Sequence, residues 1–127
     1  MLALGQVASD EEPLPDPLID LIAARFRVLA EPTRIKILDR LRSGPATVRE
    51  LAAVTGSSQQ NISKHLNLLH SVAMVSRERD GNSVRYASSD PGVYELCDQV
   101  CGGLRRQIAS LEEVVDAAPY PPPARGR

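Results

Sequence analysis

The stretch TVRELAAVTGSSQQNISKHLNLLH, Thr47 to His70, holds two short helical patterns and a break between them. Thr47 followed by Glu50 has the spacing of a capping box, in which hydroxyl and carboxylate each accept a backbone N–H at a helix start. Leu51 and Val54 supply the buried side of this first pattern, and Gly56 offers the left-handed conformation that ends a helix. Ser57 with Gln60 repeats the capping signal, after which Ile62, Leu66 and Leu69 recur at helical spacing. Two helices joined by a tight, glycine-containing turn follow, which is a helix-turn-helix.

Toward the N-terminus, Asp16-Pro17 reads as a helix start, with Leu18, Ile22, Phe26 and Leu29 on one stripe. Glu31-Pro32 restarts the chain, Ile35, Leu38 and Leu41 form the next stripe, and Gly44-Pro45 stops it. Beyond His70, Met74 to Arg79 and Ser83 to Ala87 are extended runs around Asp80-Gly81-Asn82, residues that tolerate the positive φ of a hairpin turn. Asp90-Pro91 opens a last helix that runs to about Asp116. The predicted fold is mainly α with a small β-hairpin wing: a winged helix-turn-helix of five helices plus two strands, dimeric, spanning 16–116. Residues 1–15, acidic and proline-containing, and 117–127, with Pro121, Pro122 and Pro123, read as flexible tails.

A chain of 127 residues fits one domain. Met1 to Ser9 lacks a basic region ahead of an apolar run, and no run reaches the ~20 apolar residues of a membrane span. Cys97 and Cys101, the only cysteines, make no disulfide framework. These features predict a cytoplasmic protein with no membrane partner. No nucleophile with its base, phosphate loop or paired carboxylates stands out, so no enzyme is expected. The net charge of −1 hides a pattern: 21–89 carries eleven basic against five acidic residues, and 1–20 carries five acidic and no basic ones. Attraction over a Debye length of ~8 Å follows the local face, so double-stranded DNA suits the middle segment.

With Ile62, Leu66 and Leu69 turned inward, Ser58, Gln59, Gln60, Ser63, Lys64 and Asn67 fall on the outside of the second helix of the pair. Amides and hydroxyls donate to and accept from base edges, whereas a merely solvated face more often carries Glu and Lys pairs. Arg77, Arg79 and Arg85 on the hairpin, against Glu78 and Asp80, are either phosphate or minor-groove contacts or charge protecting an exposed edge. His65 and His70 are either metal ligands or packing and DNA-backbone residues.

Ala30-Glu31-Pro32-Thr33-Arg34, Glu50-Leu51-Ala52, Gln59-Gln60-Asn61-Ile62-Ser63-Lys64-His65-Leu66 and Arg79-Asp80-Gly81, in that order, resemble the ArsR/SmtB family over roughly residues 16–115. The resemblance implies a homodimeric repressor, released from operator DNA by a metal, a metalloid or a redox signal. It implies that the fourth helix is the recognition helix, with Gln59, Gln60, Ser63, Lys64 and His65 as the DNA-reading segment. It also implies a dimer built through the first and last helices. Two sites familiar in the family are absent: Thr47 to Ala53 contains no Cys-x-Cys pair, and no histidine follows His70.

On a helical wheel, Val93, Cys97, Cys101, Leu104, Ile108, Leu111 and Val115 share one stripe of the last helix, which suggests a partner helix. Cys97 and Cys101 sit one turn apart on it. They are small apolar fillers at a dimer seam, or part of a soft-ion site for arsenite, Zn, Cd or Cu(I), or a centre of oxidation or persulfide chemistry. Gly102-Gly103 marks close helix contact or a weak point. The alternative readings of the whole are a winged-helix module that binds protein, and a DNA-binding repressor whose cysteines are structural.

Overall fold

The computed structural model describes residues 12–118. The tails expected at 1–15 and 117–127 fall mostly on residues outside that range. In chain order the elements are α1 (Asp16–Leu29), α2 (Pro32–Leu41), β1 (Ala46–Thr47), α3 (Val48–Thr55), α4 (Gln59–Ser71), β2 (Val75–Asp80), β3 (Ser83–Ser88) and α5 (Gly92–Asp116). The five helices and the hairpin match the expectation. The sheet has a third strand in the antiparallel order β1-β3-β2, with Ala46 opposite Tyr86 and Thr47 opposite Arg85. At two residues β1 is too short to leave a period-2 signal.

The chain divides into two compact units between Ser89 and Asp90. In the first, α3 and α4 meet at Gly56, whose φ of 77° is left-handed and costs glycine little. The capping box is present: Glu50 N donates to Thr47 Oγ1 at 3.1 Å, and Thr47 N donates to Glu50 Oε1 at 2.9 Å. The cap of α4 lies one residue later than the sequence suggested, since Asn61 N donates to Ser58 Oγ at 3.1 Å. Adjacent serines give nearly equal capping signals, and the structure uses Ser58.

Ile37, Leu38 and Leu41 of α2, Leu51 of α3, and Ile62, Leu66 and Leu69 of α4 are buried with Met74 and Val75. Each large aliphatic side chain withdrawn from water stabilises by roughly 1.5–3 kcal/mol, so this cluster fixes the angle at which α4 is presented. Two positions expected inside are outside: Ile35 is 46% exposed and Val54 60%. Ile37 is buried in place of Ile35: both are compatible with the Leu38–Leu41 spacing, and packing between elements decides which face of α2 is covered. Val54 lies at the end of an eight-residue helix whose contact with the core is made by Leu51.

On α1 only Val28 is buried; Leu18, Ile22 and Phe26 stay exposed. In the second unit, α5 begins where Gly92 N donates to Asp90 Oδ1 at 3.1 Å. It runs unbroken through Gly102 and Gly103, where an added Cβ would meet only the Arg106 guanidinium. Of its apolar stripe Val93 is buried and Cys97 half-buried, while Cys101, Leu104, Ile108, Leu111 and Val115 are exposed.

Candidate nucleic-acid interface

The outer side of α4 is built by what its inner side buries. With Ile62, Leu66 and Leu69 in the core, Gln59, Gln60, Lys64 and Asn67 stand exposed and Ser63 is half-buried. Among the described residues none of these five side chains makes a hydrogen bond or ion pair, so their donors and acceptors remain available. Ser58, also exposed, spends an acceptor on the helix cap and keeps its hydroxyl proton.

His65 is placed differently. Its ring turns toward α2, with Nε2 at 3.3 Å from Glu31 Oε2 and Nδ1 at 3.2 Å from an Arg34 Nη1. Neither Glu31 nor Arg34 was a site residue on sequence grounds. Glu31-Pro32-Thr33-Arg34 carried a capping signal, but its partner lies 31 residues further along the chain. His70 is exposed near the end of α4.

Strand register separates the three hairpin arginines. Arg77 pairs with Tyr86 and Arg79 with Val84, so these four side chains share one face. With Glu78 they line an open pocket of about 440 Å³. Among the described residues Arg77 and Arg79 make no ion pair. Arg85 pairs with Glu78 in the ladder and so points to the other face, where its Nε lies 3.4 Å from Asp80 Oδ2 and its Nη1 3.7 Å from Glu50 Oε1. It ties the wing to the start of α3, through contacts that are half exposed and screened by salt.

The Thr47 backbone N–H holds the Glu50 carboxyl below its ordinary value of 4.5, helped by the Thr47 hydroxyl and Arg85. Burial alone would raise Glu31, but the Thr33 N–H, His65 and Arg34 outweigh it and leave that carboxyl lowered too. A carboxylate lowered on folding contributes stability that is complete above its unfolded value and lost as pH falls through the folded one. Wild-type protein is therefore expected to lose more thermal stability than Glu50→Gln between about pH 6 and about pH 3. Melting curves across that range check this, and parallel curves would remove the role given to Glu50.

Cys97 and Cys101 are both free thiols. Among the described residues no group of three or more His, Cys, Asp or Glu is arranged to hold a metal ion. The pair thus offers two soft donors and no third from the described chain. No helix of the described residues is long and apolar enough to cross a membrane.

A helix-turn-helix whose second helix presents a free polar row, followed by a basic hairpin, is a winged helix-turn-helix DNA-binding domain. A helix-turn-helix domain model matches residues 29–76. A probable mercury resistance operon repressor of Streptomyces lividans is 40% identical over 92 residues, covering 72% of each chain. The crystal structure of AntR, an antimony-specific transcriptional repressor, superposes with a TM-score of 0.70 at 26% identity, over 86% of this chain and 99% of that one. A homodimeric winged helix-turn-helix DNA-binding domain of Mycobacterium bovis has the same fold, with a TM-score of 0.61 at 24% identity over 90% of this chain and 100% of that one. The chain belongs to the ArsR/SmtB family of DNA-binding transcriptional regulators.

Proposed function

We propose that the chain is a cytoplasmic, non-catalytic repressor that binds operator DNA as a homodimer and lets go when a thiophilic metal or metalloid reaches Cys97 and Cys101. The observation that carries the DNA-binding half is the row Gln59, Gln60, Ser63, Lys64 and Asn67, polar and unpartnered on α4. Side chains of this kind read base edges in the major groove, Gln to adenine and Lys to guanine. Arg77 and Arg79 suit the phosphates beside it, while Arg85 and His65 act from behind by holding the elements in place.

The homodimer is supported by the apolar residues left bare on α1 and, separately, on α5, because exposed apolar side chains in a row mark an interaction surface. A second copy is the partner that also supplies a second recognition helix, about 34 Å away on the same side of DNA. The M. bovis domain, of the same fold, is itself homodimeric.

For the signal, the Streptomyces relative is named for mercury and AntR for antimony, both thiophilic. Two thiols one helical turn apart, with Cβ atoms ~6 Å apart, form half of a soft-ion shell for Hg, Sb, arsenite, Zn, Cd or Cu(I). The second copy supplies the remainder. A second reading, in which both cysteines only pack, is favoured by the half-buried Cys97 on an otherwise apolar stripe.

The two readings separate in an anisotropy titration on the DNA upstream of the gene, repeated with each ion, a persulfide donor and peroxide. Release of wild-type protein by a thiophilic ion, with the Cys97→Ser/Cys101→Ser variant left bound, is the expected result. A complex indifferent to every addition assigns the cysteines to packing.

A further inference from the structure

His65 lies in the segment that reads DNA, yet its ring is largely enclosed, with a side-chain exposure of 13%, and faces the start of α2. Its two nitrogens meet opposite charges. A guanidinium has five donors and no acceptor, so Nδ1, 3.2 Å from Arg34 Nη1, must be the unprotonated acceptor. Nε2 therefore carries the proton and donates to Glu31 Oε2 at 3.3 Å. The two neighbours thus fix which way the ring faces, one nitrogen toward each.

Arg34 does more than hold the ring. Its Nε donates to Val28 O at 2.6 Å and its Nη2 to Arg27 O at 3.4 Å. Those carbonyls lie in the last turn of α1, where Arg27 O also accepts the Ala30 N–H at 3.2 Å. Glu31, in turn, caps α2 by accepting the Thr33 N–H. One guanidinium thus joins the end of α1 to the middle of α4, and one carboxylate joins the start of α2 to the same ring. Burial of Ile62, Leu66 and Leu69 fixes where α4 lies, but apolar packing tolerates small rotations that directional bonds do not.

We infer that His65 is a positioning residue: through Arg34 and Glu31 it locks the rotation of α4 about its own axis to the α1–α2 corner, and so sets the aim of Gln60 and Lys64. This rests on the reading that α4 enters the major groove. Because α1 also carries the bare face of Leu18, Ile22 and Phe26, a shift of α1 reaches the recognition helix through Arg34. The Arg34 bond, and not the Glu31 bond, is the one that transmits it.

Two amides separate the bonds. Asn places its oxygen where Nδ1 stood, so His65→Asn keeps the acceptor for Arg34 and loses the donor to Glu31. Gln places its nitrogen near Nε2, so His65→Gln keeps the Glu31 bond and leaves Arg34 without its acceptor. The readout is the ratio of affinities for the upstream duplex and a scrambled duplex of the same length, with full-length protein. A charge-assisted hydrogen bond lost from the framework is expected to lower that ratio by about tenfold in His65→Gln, in His65→Ala and in Arg34→Lys. His65→Asn is expected to restore most of it, and binding to the scrambled duplex should hardly change in any variant.

A ratio unchanged in His65→Ala and Arg34→Lys would overturn the inference while leaving the DNA-binding reading intact. Equal losses in His65→Asn and His65→Gln would overturn the assignment to Arg34. Failure of wild-type protein to prefer the upstream duplex would remove the reading itself, and the inference with it.

Discussion

Replacing Ile108 with Glu is expected to leave the protein monomeric and to cut its affinity for upstream DNA by roughly 10²–10⁴, the gain ordinarily obtained by linking two binding modules. Ile108 is 55% exposed and Leu104, one turn before it on the same stripe of α5, is 53% exposed. Water on those side chains in one chain is the reason to expect them covered by a second. A carboxylate at the centre of such a seam is buried without a partner, and that penalty exceeds what the neighbouring leucines recover. Sedimentation gives the mass and a titration on the upstream duplex gives the affinity. Far-UV circular dichroism should be unchanged, since Ile108 is not among the buried core residues. A dimer that persists in Ile108→Glu with full affinity would move the interface elsewhere.

The second large effect divides the DNA contacts by role. Gln60→Ala is expected to lower binding to the upstream duplex by about 1–3 kcal/mol and to leave random DNA nearly untouched, as for loss of a base contact. Arg79→Ala should weaken both duplexes alike and reduce the slope of log affinity against log salt by about one. Arg85→Ala should change that slope less than Arg79→Ala, because the Arg85 guanidinium is already shared between Asp80 and Glu50. Equal effects of Gln60→Ala and Arg79→Ala on both duplexes would contradict the division.

The helix-turn-helix, the wing and the terminal helix were legible because their signals are local. The Thr47 and Glu50 capping pair, Gly56, the Ile62, Leu66 and Leu69 spacing and the Asp80-Gly81-Asn82 turn each act within a few residues. What escaped was decided between elements. Ile35 and Ile37 are both compatible with the Leu38–Leu41 spacing, and only packing between elements puts Ile37 inside. Ser57 and Ser58 compete for one cap. Arg77, Arg79 and Arg85 look alike in sequence, and the hairpin register alone sends Arg85 to the face of Glu50. His65 reads as one more polar residue in a recognition helix until Glu31 and Arg34 are seen on its two nitrogens. Except at the α4 cap, the missing information is a partner distant in the chain.

The free polar row of α4 is expected to give this protein a preference for its own operator. The most direct test of that preference is a titration of wild-type protein on the upstream duplex and on a scrambled duplex, each at low and at physiological salt. The expected result is a preference for the upstream duplex of about 10³ or more, with both affinities falling as salt rises. Equal affinity for the two duplexes, or binding that ignores salt, would contradict it and turn the same surface into a site for a protein partner.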